Sequence, residues 1–125
     1  MYEKIIIKIN DKVFSAELNN SSIAKKINEN LPIHAKVNIW GEEIYFEIPV
    51  KTRIEKGVTE VEKGDIGYWP DGACFCLFFG PTPASSGGKI IPASAVEIIG
   101  KLENPDYILL KNVKQGEKIT IEKFV

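Results

Sequence analysis

Hydrophobic positions recur at every second residue over much of this chain, a period that predicts strands. Glu3–Ile9 is rich in Ile and Lys, Asn10-Asp11 makes a turn, and Lys12–Leu18 sets Phe14, Ala16 and Leu18 against Val13, Ser15 and Glu17. This predicts a β-hairpin with Phe14, Ala16 and Leu18 inside. The period then changes. Ile23, Ile27 and Leu31 recur every four residues behind the capping run Asn19-Asn20-Ser21-Ser22, and Pro32 closes the pattern. An amphipathic helix is expected over Ser22–Leu31. Alternation returns in Ala35–Trp40 and Ile44–Val50, with Ile44, Phe46 and Ile48 on one face and Tyr45 and Glu47 on the other. Pro49 suits a strand end.

The chain is organised around Gly64–Pro83. Inside it Cys74–Phe79 is an unbroken apolar run bounded by Gly72 and Gly80-Pro81, a strand that must be covered on both faces. Ala84-Ser85-Ser86-Gly87-Gly88 is a loop, either a plain connection or a rim or lid. Val96–Leu102 and Lys118–Phe124 read as further strands. Pro105–Val113 reads as a short helix with Pro105 in its first turn. Strands dominate, which favours a mainly β barrel over a helix-covered parallel sheet.

At 125 residues, with 44% hydrophobic and 26% charged positions, the chain is expected to fold as one soluble domain. Its net charge of -1, with both signs interleaved, argues against a nucleic-acid surface. No run approaches the ~18 apolar residues of a membrane span. The start, Met1-Tyr2-Glu3-Lys4, passes straight into strand-like sequence, so a cytoplasmic location without a signal peptide is expected. Lys, Glu and Ile are abundant, while Gln115 and Met1 are the only residues of their types, a bias resembling proteins of heat-loving organisms.

The words Asn38-Ile39-Trp40-Gly41-Glu42-Glu43-Ile44-Tyr45-Phe46, Gly64–Pro83 and Ile91-Pro92-Ala93-Ser94-Ala95-Val96 resemble the small stand-alone cyclophilin-like proteins of bacteria and archaea. The resemblance spans nearly the whole chain. It implies a cyclophilin-like closed antiparallel β-barrel of about eight strands, with one of the two short helices over each open end. True cyclophilins are peptidyl-prolyl isomerases, and their Gly-Ser-Gln-Phe-Phe strand is answered here by Gly72-Ala73-Cys74-Phe75-Cys76. That match implies a groove lined by Cys74, Cys76 and Phe78, with Phe75, Leu77 and Phe79 in the core. Their Phe-His-Arg segment is not kept: Phe46 is followed by Glu47 and Ile48. The expectation is therefore a groove that binds a peptide or small ligand, with isomerase activity weak or absent. A divergent isomerase and a component of a larger hydrolase assembly are the alternatives the family implies.

The other candidate binding residues follow from the pattern. Arg53 is the only arginine and either reaches the groove or is solvated. Tyr68 and Trp69 form an aromatic shelf or pack at a barrel corner. Tyr45 and Glu47 face the groove or the solvent. Cys74 and Cys76 are too close along one strand to bridge comfortably, and His34 is the only histidine. Two reduced thiols, no metal and no cofactor are expected. No nucleophile elbow, phosphate loop or dinucleotide fingerprint is present, and no residue is assigned a catalytic role. The sequence leaves the oligomeric state open.

Overall fold

A computed structural model describes residues 3–125; the Met1-Tyr2 lead into the first strand lies outside the described residues. Ten strands form one antiparallel sheet, accompanied by two short helices. In chain order these are β1 (Glu3–Ile9), β2 (Lys12–Leu18), α1 (Ser22–Glu29), β3 (Ile33–Lys36), β4 (Asn38–Ile39) and β5 (Glu43–Glu47). There follow β6 (Gly57–Val58), β7 (Asp65–Trp69), β8 (Cys74–Phe78), β9 (Val96–Glu103), α2 (Tyr107–Lys111) and β10 (Lys118–Lys123). The hydrogen-bonded order is β3-β10-β1-β2-β9-β7-β8-β5-β4, with β6 added to β9. Among the described residues no strand pairing joins the two ends of that order, so hydrogen bonds do not close the sheet as the closed-barrel expectation required.

The β1–β2 hairpin has the expected bounds and register, and Phe14, Ala16 and Leu18 are buried. They join Ile5, Ile7, Ile9, Ile44, Phe46, Phe75, Leu77, Ile119 and Ile121 in the main core, which the buried Ile23, Ala24 and Ile27 of α1 and Leu110 of α2 also enter. In α1 the Ser21 side chain accepts from the Ala24 amide, which satisfies a first-turn donor. The helix ends at Glu29, two residues short of the expected Leu31, with Asn30 at its C-cap. In α2 the N-cap is Asp106, whose carboxylate accepts from the amides of Ile108 and Leu109. Pro105 therefore precedes the helix instead of occupying its first turn.

β8 is buried on both faces, and two different clusters cover it. Phe75 and Leu77 point into the main core. Cys74, Cys76 and Phe78 point outward into a smaller cluster with Val61, Ile90 and Val96. That outer layer is held in place by a bridge between Val61 and Ile90 and by the return of the chain after β8. In that return Ser85 Oγ accepts from the amides of Thr82 and Ile91, at 2.9 and 3.0 Å. The Thr82 hydroxyl in turn donates to the Ile91 carbonyl. The serine-rich loop is thus folded back on itself, with open space around its Gly87-Gly88 tip.

Candidate functional site

The outer face of β5, β8, β7 and β9 carries a cavity of about 220 Å³ lined by Trp40, Glu43, Tyr45, Trp69, Pro92, Ala93 and Val96. Strand alternation accounts for most of these positions. On β5, Ile44 and Phe46 enter the core, so Glu43, Tyr45 and Glu47 face outward. On β7, Ile66 and Tyr68 enter the core, so Gly67 and Trp69 face outward. Gly67 sits opposite Cys76, and a Cβ there would lie 3.2 Å from both Phe78 and Val96, so the missing side chain lets those two close over the strand.

The turn between β4 and β5 sets Trp40 beside Glu43. Each donates its backbone N–H to the other's carbonyl, at 3.0 and 3.2 Å, closing a two-residue turn of Gly41 and Glu42. Gly41 has φ +61, the first-position requirement of a type II′ hairpin turn. A Cβ on Gly41 would also come within 2.7 Å of Pro83, so the turn is packed against the loop that follows β8. Trp69 is fixed from two sides. Its Nε1 donates to Ser94 Oγ at 2.6 Å, and Ser94 donates onward to Asp71 at 2.8 Å. A Cβ on Gly72 would stand 2.8 Å from the indole, so the glycine makes room for the ring.

Glu43 is the one carboxyl among the lining residues and is only 6% exposed. No basic side chain pairs with it among the described residues. Burial pushes its pKa up to about 7, with the Cys76 thiol as a hydrogen-bond donor opposing the rise. The thiols beneath the cavity move the same way. Cys74 is pushed up to about 11 by burial, then by the charges of Glu47 and Glu43. Cys76 rises well above its ordinary value, again chiefly by burial. Both cysteines are free, and burial keeps them protonated and poorly nucleophilic at neutral pH. No group of three or more metal-ligating side chains occurs among the described residues.

A larger hollow of about 520 Å³ beside the N-terminus of α1 has a different character. Its buried acid, Glu97, already accepts from the amides of Glu55 and Lys56, at 2.7 and 3.2 Å. That carboxylate is committed to holding the chain ahead of β6, whereas Glu43 faces the outer cavity.

The sequence-derived candidates divide accordingly. Tyr45 and Trp69 line the cavity; Cys74, Cys76 and Phe78 face its side of the sheet but are buried beneath it. Glu47 is exposed and outside the lining. Tyr68 lies in the core, because alternation on β7 sends it opposite to Trp69, and its hydroxyl donates to the Val50 carbonyl at 2.7 Å. Arg53 is exposed on the stretch between β5 and β6. That stretch is tied to α1 by Ser22–Glu55 and Lys26–Thr52 hydrogen bonds, so Arg53 is not brought to the cavity. Five lining residues were not among the candidates: Pro92, Ala93 and Val96, far along the chain, and the turn-closing pair Trp40 and Glu43. The signal for that pair was the Trp-Gly-Glu-Glu turn, since closing residues of a tight hairpin share a face.

A family model described as Cyclophilin-like matches residues 3–122. Among solved structures, the chain is similar to the solution structure of a hypothetical protein from Archaeoglobus fulgidus, with 36% identity and a TM-score of 0.84. That match covers 98% of this chain and 95% of the other. Among curated proteins none matches.

Proposed function

Because the chain belongs to the cyclophilin-like family, we propose that it is a binding protein whose outer cavity takes a small ligand or a single side chain of a peptide. The observation that carries this reading is the cavity itself: two tryptophans and a tyrosine around one buried carboxyl, with the Trp69 indole anchored by Ser94 and the Trp40 backbone fixed by its turn. Apolar walls with few polar groups are the usual make-up of a ligand pocket. At about 220 Å³ the space suits a metabolite or a side chain better than a drug-sized molecule. The protonated thiols supply no nucleophile, so binding without chemistry is the simpler assignment.

We also read the sheet as a barrel closed by the chain instead of by a strand pairing. In support, β3 and β4, the two ends of the hydrogen-bonded order, are separated by Val37 alone. Val37 itself bonds to the Gly116-Glu117 segment just before β10.

A thermal-shift screen of metabolites and short peptides tests the binding reading. A ligand at ~100 times its dissociation constant adds about 2.7 kcal/mol of stability. The expected result is a compound that raises the melting temperature of the protein but not of Trp69→Ala. A compound that stabilises both equally, or a broad panel without effect, overturns the assignment to this cavity.

A further inference from the structure

Building on the reading of the outer cavity as a binding site, we infer that its ligand carries a weakly hydrated organic cation, an alkylated ammonium group, held by Glu43 among Trp40, Tyr45 and Trp69. The chemistry of the lining supports this class. Aromatic rings attract a cation through their quadrupole, and tryptophan does so best. Two of the three rings here are indoles. The Trp69 N–H is already committed to Ser94, so that indole has no donor left for an anionic or carbonyl ligand.

The carboxyl supplies the second, independent observation. Glu43 is nine-tenths buried, lines the cavity, and has no cationic partner among the described residues. A buried carboxylate without a counter-charge is costly, and such groups are normally paired or neutralised. An ammonium ligand supplies the missing charge. A primary ammonium is strongly hydrated and would lose that hydration in a cavity whose acceptor side chains are Glu43 and Tyr45 alone. Alkylation removes the unsatisfied N–H donors and adds apolar surface for Pro92 and Val96. An anion is disfavoured by Glu43 itself.

The cavity also predicts how binding responds to pH. The titratable groups facing Glu43 are Tyr45 on its own strand and Cys76 and Cys74 on β8. Of the remaining lining residues, Trp40, Trp69, Pro92, Ala93 and Val96 bring none. With its pKa near 7 in the empty cavity, Glu43 must release a proton to pair with a cation. Affinity should therefore rise by about tenfold between pH 6 and pH 8, as the ionised fraction grows.

The test compares choline with its neutral carbon analogue, 3,3-dimethylbutan-1-ol, by calorimetry and tryptophan fluorescence on the intact chain. The expected result is choline bound at least tenfold more tightly than the alcohol at pH 8. That advantage should shrink at pH 6 and lose its pH dependence in Glu43→Gln, whose fold is checked by circular dichroism and whose remaining preference for choline comes from the aromatic rings. Arg53→Ala, outside the cavity, should bind as the parent does. An acetylated trimethyllysine methylamide probes the second source of the same group. If it outbinds choline, the ligand is a modified side chain; if choline outbinds it, the ligand is a free head group, and both results support the proposal. Equal binding of choline and the alcohol, or binding of the alcohol alone, overturns the cation but leaves the cavity a binding site. If none of these probes binds at either pH, the cation falls, and the wider screen above then decides the binding reading.

Discussion

Trp40 and Glu43 close the β4–β5 turn as a mutually hydrogen-bonded pair and deliver an indole and a carboxyl to the same cavity. The backbone thus fixes the spacing of the two groups before any ligand arrives. The carboxyl also makes the stability of the folded state depend on pH.

Glu43 has a folded pKa of about 7 against an ordinary 4.5, so it holds its proton more tightly folded than unfolded. The folded state keeps its full relative stability below 4.5 and loses it as pH rises to about 7, on the order of 3 kcal/mol in all. Glu43→Gln removes that titration. In urea unfolding at pH 4.5, 6, 7 and 8, the stability of the variant relative to the parent should grow by about that amount. A difference that stays flat with pH would show that Glu43 ionises freely in the folded protein.

Tyr68 belongs to the core, and its hydroxyl both donates to Val50 and accepts from the Thr52 amide, at 2.7 and 3.2 Å. Tyr68→Phe strands a carbonyl and an amide, a loss of about 1–3 kcal/mol. Unfolding should register that loss while binding in the outer cavity stays unchanged. Altered binding with unaltered stability would return Tyr68 to the site.

The thiol of Cys74, with its pKa of about 11 against an ordinary 9, carries about a hundredfold less thiolate at neutral pH than an unperturbed cysteine. Cys76 is deeper still. Alkylation by iodoacetamide at pH 7 should therefore be at least a hundredfold slower in the folded protein than in urea. Rapid modification of the native protein would mean that the layer over β8 opens readily.

Prolyl isomerase activity is expected to be weak or absent. Rotation about an X-Pro bond has a barrier of roughly 20 kcal/mol, lowered only by groups that favour the twisted amide over both planar forms. Losing one such donor costs about 3–4 kcal/mol, by analogy with oxyanion holes. Behind Phe46 stand the exposed Glu47 and the core residue Ile48, and Arg53 lies away from the cavity. A peptide isomerisation assay should show little acceleration, unchanged by Arg53→Ala. Strong acceleration abolished by that substitution would assign the protein as an enzyme.

Much of the fold was legible because period-2 patterning fixes both strand and face. The β1–β2 register and the inward set Phe75, Leu77 and Phe79 both followed from alternation or the family strand match, and both hold in the structure. What escaped reading had local causes. β7 carries Gly67 at an outward position, which breaks the apolar pattern that would have marked a strand and told Tyr68 from Trp69. Glu43 reads as part of the turn that follows Trp40, because the cavity it lines is completed by chain far along the sequence, Pro92 and Val96. Pairing across such distances leaves no periodic trace.

The short strands at the two ends of the sheet bear on how copies of this protein meet one another. An unpaired strand edge is a template on which another chain can add, and long flat edges invite aggregation. Here the terminal strands of the hydrogen-bonded order are β3 and β4, of four and two residues, consecutive in the chain and separated by Val37. Among the described residues the sheet thus ends on strands of no more than four residues. Resistance to edge-to-edge association is built into the path of the backbone, which leaves the side chains of the outer face free to be selected for what they bind.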